Sequence, residues 1–184
     1  MYLCTLNNTI TMRLINNPWL DIPKYNCFGC CPNNPIGLQL RFYEDGDDII
    51  AIWHPSKNYQ SWINTIHGGV QAVLIDEVCG WVVFHKLGLT GMTAKMEMRY
   101  RKPMVMDQEY IIARASLKNI NHNIATITAE LRGSNRELLV EGSCTYYTFD
   151  KAHLPENLSC EATSVNDEDI SFEEVIKQTI HSNN

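Results

Sequence analysis

The chain has 184 residues, 45% of them hydrophobic and 20% charged, with a formal net charge of −6, the make-up of one globular domain with a sizeable core. The charge is uneven: residues 1–149 hold 13 basic and 13 acidic side chains, and residues 150–184 hold 2 and 8. No basic surplus exists to neutralise phosphates, which argues against nucleic acid as a partner, and no run approaches the roughly 18 apolar residues that cross a bilayer.

Met1 to Ile15 has neither a basic start nor a small-residue cleavage site, so a cytoplasmic protein with no membrane partner is expected. Seven irregularly spaced cysteines fit reduced thiols better than a disulfide framework.

Residues 1–26, with two Asn-Asn pairs, Asn-Pro and Ile-Pro, read as an irregular arm. Leu38 to Asp45 and Asp48 to Trp53 alternate around Glu-Asp-Gly-Asp-Asp, as a hairpin does. Gly69 to about Leu87 has no proline and ends in Lys86 and Gly88, which are helix-stop residues. Its apolar residues, from Val70 to Phe84, cover the whole circumference, so this is a buried helix.

Four further alternating runs follow, Met92 to Arg101, Gln108 to Lys118, Asn123 to Arg132 and Leu138 to Phe149, joined by short turn-rich links as in an antiparallel meander. Two strands, one buried helix and four strands predict an α+β domain over 27–149, a curved antiparallel sheet wrapped around one long central helix. Residues 150–184 are acidic and polar until Phe172, Val175, Ile176 and Ile180 give a weak amphipathic turn or two, and are expected to be mobile or loosely docked.

The buried helix carries an anomaly. In TIHGGVQAVLIDEVCGW, Thr65 to Trp81, two adjacent acids, Asp76 and Glu77, interrupt an apolar run, and a carboxylate taken into an interior needs a partner or a task. Pairing with a buried cation or a backbone N–H is the plainer account of Asp76. Glu77 projects beside Val70, Trp81 and Phe84 and reads as a structural acid in preference to a second catalytic group. His54, His85 and His122 have no constellation around them. The cluster Cys27, Cys30 and Cys31 lacks a second cysteine pair for zinc, so it reads as a small-residue turn and no metal is expected.

Three segments change the weight given to Asp76: CFGCCPNNPIGLQLRF from Cys27, HGGVQAVLIDE from His67 and TAKMEMRYRKP from Thr93. In this order and spacing the chain resembles the hotdog-fold acyl-CoA thioesterases, in their phenylacetyl-CoA-thioesterase-like branch. The resemblance implies that Asp76, nine residues after His67, is the catalytic carboxylate. It implies that the N–H of Gly68 meets the thioester oxygen, that His67 holds the turn and the substrate, and that Thr93 polarises the attacking water. It also makes Gln60, Ser61, Asn64 and Gly69 candidates for substrate binding. Relatives often carry Asn and Gly where Ser61 and Asn64 stand, which leaves the water-holding group open. Arg101 and Lys102, in the densest basic cluster, are candidates for the phosphates of coenzyme A, although a solvated strand face alone would account for them.

The implied reaction is hydrolysis of an acyl-CoA thioester without a cofactor. Eight residues of helix separate Gly68 from Asp76 by roughly 12 Å, too far to share one carbonyl. A two-fold dimer, or a dimer of such dimers, with antiparallel helices would bring Asp76 of one chain to Gly68 of the other. A hotdog hydratase or dehydratase using His67 with Asp76, and a non-catalytic acyl-CoA sensor, are the alternatives.

Overall fold

Alternating apolar residues in the second half of the chain leave every second side chain to be covered from one direction, and the long helix supplies the cover. The computed structural model of the chain describes residues 11–149 and 163–181. In chain order these form β1 (Thr11–Leu14), β2 (Phe42–Asp45), β3 (Asp48–Trp53), α1 (Gly68–Trp81) with a wider turn from Val82–Lys86, β4 (Thr90–Tyr100), β5 (Ile111–Asn121), β6 (Ile124–Gly133), β7 (Leu138–Phe149), β8 (Ile170–Ser171) and α2 (Phe172–His181). The strands make one sheet in the order β4-β7-β6-β5-β3-β2-β1-β8, antiparallel at every pairing.

The sheet holds α1 as the apolar circumference predicts. Leu74, Ile75, Val78, Cys79 and Val82 are sealed against Ile49, Ala51, Ile111, Ile127 and Leu131. At Gly142 the helix approaches so closely that a Cβ would lie 2.7 Å from Ile75 Cγ2, which is why β7 carries glycine there. Gly88 ends the element with φ +63, the left-handed residue that the stop chemistry requires.

The expected arm and tail need correction. Within 1–26, Thr11–Leu14 is a strand that joins β2 to β8, and Met12 is buried. Within 150–184, residues 150–162 lie outside the described residues, but α2 is docked. It presses Phe172 and Val175 onto Met12, Tyr43, Ile50, Ile52 and Ile112, a second apolar cluster. β3 is apolar on both faces, so its outer face needs cover.

Two histidines without a constellation in the sequence tie this region down. His54 bonds to Glu109 O (2.7 Å) and Thr179 Oγ1 (2.8 Å), and His85 to Thr163 Oγ1 (2.6 Å) and Glu44 Oε2 (2.9 Å). The expected link Asn119 to His122 is also shorter than predicted: β5 runs on through Asn121 after a register shift between Leu117 and Asn119, and His122, with φ +52, turns the chain into β6.

Candidate active site

On the side of α1 that faces β4 and β7, Asp76 has hydroxyl partners. Thr93 Oγ1 donates to Asp76 Oδ1 at 2.8 Å. The Tyr146 hydroxyl contacts the same Oδ1 at 3.2 Å and the Asp76 carbonyl at 2.9 Å. Thr93 and Tyr146 are facing residues of the β4–β7 ladder, next to an irregularity between Thr93 and Lys95. A bulge of this kind re-aims a side chain at a site.

Gly80, one turn beyond Asp76, borders the Tyr146 hydroxyl, which would be in ordinary contact with a Cβ there, at 3.6 Å. Burial, and after it the Asp76 charge, hold the Tyr146 proton well above the ordinary phenol range, so Tyr146 remains a donor at neutral pH. Asp76 Oδ2 has no hydrogen bond among the described residues. The plainer account of Asp76, pairing with a cation or a backbone N–H, is not what these contacts show.

The other end of α1 opens with His67, whose Nδ1 accepts the Gly69 N–H at 2.9 Å. His67 O takes the N–H groups of Val70 and Gln71. Gly69 therefore spends its N–H on the cap, which removes it as a donor to substrate. The Gly68 N–H, by contrast, has no acceptor among the described residues, and it lies at the positive end of the helix. Tyr100 donates to Gly68 O at 3.0 Å.

Gly68 lines an open groove of about 480 Å³ with Ser61, Gln71, Tyr100, Arg101 and Lys102. Inside it the buried Gln71 donates to Ile66 O at 2.9 Å while its Oε1 is left without a partner. Another cavity, of about 400 Å³, lies beneath Leu14, Leu40, Trp53 and Trp81 and touches none of Asp76, Thr93 or Gly68.

Of the remaining candidates, Gln60 and Asn64 bind each other, with Asn64 N–H on Gln60 Oε1 at 3.3 Å, and Asn64 takes φ +58. Ser61 closes the same loop through N–H to Thr65 O at 2.8 Å. This loop holds out Trp62 and Ile63, 85% and 92% exposed. Arg101 and Lys102 reach the groove but already have anions. Arg101 Nε and Nη2 hold Glu141 Oε2 at 2.8 and 2.6 Å, and Lys102 pairs with Glu137.

Glu77 points the other way, to the turn at Cys27. Cys27 Sγ lies 3.5 Å from Glu77 Oε1 and 3.5 Å from Cys30 Sγ. Burial, then the neighbouring Cys27 charge, push the Glu77 carboxyl up to about 8. The described cysteines, Cys27, Cys30, Cys31, Cys79 and Cys144, are free thiols.

One chain thus holds two separate clusters, Asp76 with Thr93 and Tyr146, and Gly68 with His67 and the groove. Sequence reading misses Tyr146, Tyr100 and Gln71. A β4–β7 register would have found Tyr146 opposite Thr93, and Gln71 is a polar residue one turn into an otherwise apolar helix. No helix among the described residues is long and apolar enough to cross a membrane.

Residues 63–140, which run from the exposed loop through α1 to the start of β7, match the Thioesterase superfamily. No curated protein matches the chain in sequence. Among solved structures, a thioesterase-superfamily protein is 21% identical with a TM-score of 0.62, the match covering 66% of this chain and 59% of that one. A thioesterase from Haemophilus influenzae is 19% identical over 61% of this chain and 80% of its own, with a TM-score of 0.55. A hypothetical thioesterase from Streptococcus pneumoniae, crystallised with coenzyme A, is 17% identical over 55% and 81%, with a TM-score of 0.53. At such identities the likeness is one of fold. The antiparallel sheet closed around α1 is a hotdog fold, as in these solved structures, and the sequence over residues 63–140 is similar to the thioesterase superfamily.

Proposed function

We propose that the protein hydrolyses acyl-CoA thioesters, in the manner of the phenylacetyl-CoA-thioesterase-like branch, at sites shared between two chains. The observation that carries this reading is Asp76, fixed at Oδ1 by two hydroxyls while Oδ2 stays open. Acting as base, Asp76 takes a proton from water, and the hydroxide adds to the thioester carbon. The oxygen that becomes negative meets the Gly68 N–H of the other chain. Collapse expels the CoA thiolate, which receives the proton and leaves free acid and thiol. Asp76 attacking directly would give an anhydride that water then opens.

The dimer has support of its own. β4 is a sheet edge eleven residues long with Met92 64% and Tyr100 52% exposed. A long edge strand with exposed apolar side chains is normally covered, and a second copy of β4 would cover it. Gln71 Oε1 in the groove is an acceptor waiting for a donor, such as an amide N–H of the CoA arm. Arg101 and Lys102 would share their cations between Glu141, Glu137 and phosphate. A cytoplasmic setting suits both the substrate and the free thiols. His67 capping its own helix through Nδ1 argues against a histidine-driven hydratase.

The test is thiol release from a panel of acyl-CoA esters. Some member should be hydrolysed, and Asp76→Asn, still folded, should lose about two orders of magnitude or more in turnover. Tagged heterodimers of Asp76→Asn with Gly68→Pro, each nearly inactive alone, should recover up to about half the wild-type rate, because one of two composite sites is then intact. Tight acyl-CoA binding with no hydrolysis would instead favour the sensor.

A further inference from the structure

Round α1 from the proposed catalytic aspartate, three side chains from two distant parts of the chain converge. Cys27 Sγ, Cys30 Sγ and Glu77 Oε lie within 4.8 Å of one another. The two measured edges, Cys27 to Cys30 and Cys27 to Glu77, are both 3.5 Å. Zinc with sulfur at about 2.3 Å and carboxylate oxygen at about 2.1 Å, at tetrahedral angles, sets such edges at about 3.8 and 3.6 Å. The cluster is therefore close to the size of a coordination face. We propose that Cys27, Cys30 and Glu77 bind one zinc ion, which clips the 27–31 turn to α1 beside the proposed catalytic aspartate.

Several independent features fit. Gly29, between the cysteines, allows the carboxylate in: a Cβ there would lie 2.0 Å from Glu77 Cδ. Tyr25 Oη lies 3.0 Å from Cys30 Sγ, and a water would complete the four ligands.

Cys31 is not part of the set, because its thiol is buried and bonds to Tyr25 O. That removes the ambiguity of three cysteines in the sequence. The missing ligand is not a second cysteine pair but a carboxylate from a helix fifty positions away. Among the described residues no ion pair contains Glu77, so a metal would supply the positive charge that this half-buried acid lacks. The ligands bind as two thiolates and one carboxylate, their protons passing to solvent, and leave with Zn²⁺ a complex of charge −1.

The test uses the full-length protein, reduced, stripped with a chelator and titrated with Zn²⁺ and with Co²⁺. One ion per chain is expected, with a thiolate-to-cobalt charge-transfer absorption. Cys27→Ser and Cys30→Ser should abolish it and Cys31→Ala should keep it. Because cysteine variants can fail to fold, the near-isosteric Glu77→Gln is the deciding variant. It should weaken metal binding by at least about 100-fold, more than the usual loss of a supporting contact. The proposal is overturned if folded wild-type protein takes up no stoichiometric metal. Uptake unchanged by both Glu77→Gln and Cys27→Ser overturns it as well. So does a purified protein with Cys27 and Cys30 joined as a disulfide that binds no metal after reduction. Each readout is independent of thioester hydrolysis.

Discussion

Asp76 looks from α1 toward β4 and β7, where Thr93 and Tyr146 hold one of its oxygens, while Glu77, one residue further round the helix, is pressed against the Cys27 turn with a thiol for its neighbour. Both acids stand in the same apolar run, and the sequence separates them only by the place of Asp76 nine residues after His67 and by the apolar neighbours of Glu77 on the helix. Their surroundings divide the work. Hydroxyl donors leave Asp76 a free oxygen and an open side. Burial deprives Glu77 of water and raises its carboxyl to about 8, which does not suit a nucleophile meeting a bulky thioester. Adjacent positions on a helix are about 100° apart, and here that angle separates two surroundings of different chemistry.

The largest test of the contrast is the pair Asp76→Asn and Glu77→Gln, read as steady-state turnover of the best acyl-CoA. The first is expected to lose about 100-fold or more, about 2.7 kcal/mol of transition-state stabilisation. The second should lose no more than about threefold. Reversed effects would mean that the chemistry sits on the Cys27 side and that Thr93 and Tyr146 only satisfy a structural acid.

Next in size is Gly29→Ala. Its methyl would collide with the Glu77 side chain, so either the 27–31 turn or Glu77 must move, at about 1–3 kcal/mol. Denaturant unfolding measures the loss. Combining the change with Glu77→Ala should restore part of it, since the clash then has only one partner. Simple addition of the two losses would mean that Glu77 is not held against this turn.

The fold is largely legible in the sequence because its signals are local. Alternation marks β4 to β7, the glycines at 68 and 88 bracket α1, and a helix apolar all round requires a sheet around it. What sequence reading misses depends on pairing between distant segments. Thr11–Leu14 is too short to alternate visibly and is a strand only because β2 and β8 flank it. Phe172 and Val175 dock because β3 is apolar on its outer face as well. In the site, the family resemblance points to His67, Gly68, Asp76 and Thr93. Tyr146 follows only from the register of β7 against β4, and the link from Glu77 to Cys27 only from the path of residues 16–41 over the helix.

Tyr146→Phe sharpens the Asp76 side. It removes one of the two hydroxyls on Oδ1 and keeps the ring in the core. Stability should fall by about 1 kcal/mol, the net value of one hydrogen bond, and turnover by roughly tenfold as the carboxylate loses its fixed orientation. Thr93→Ala should act in the same direction, and the double variant should lose less than the sum, because both act on one oxygen. Unchanged turnover in Tyr146→Phe would leave Thr93 alone as the positioning group.

The smallest effect concerns a third carboxylate, Glu44 on β2, which extends the comparison to an acid held by a lysine, an arginine and an imidazole. Lys86 Nζ and His85 Nε2 approach Glu44 Oε2 at 2.6 and 2.9 Å, and Arg13 pairs with Oε1. Partial burial pushes the carboxyl up, but the bonds from Lys86 and His85, the Lys86 charge and the bond from Arg13 outweigh it and bring it down to about 2. A carboxyl held below its unfolded value of 4.5 stabilises the fold fully above that pH. The contribution fades as pH falls from there toward about 2, because the unfolded chain binds the proton more readily than the native one. With Arg13 half in solvent, screening reduces the contribution to about 1 kcal/mol. Chemical denaturation from pH 6 down to pH 2 should therefore show wild type losing its advantage over Glu44→Gln within that window, and high salt should narrow the gap. A gap constant from pH 6 to pH 2 would mean that Glu44 acts through its packing and not through its charge.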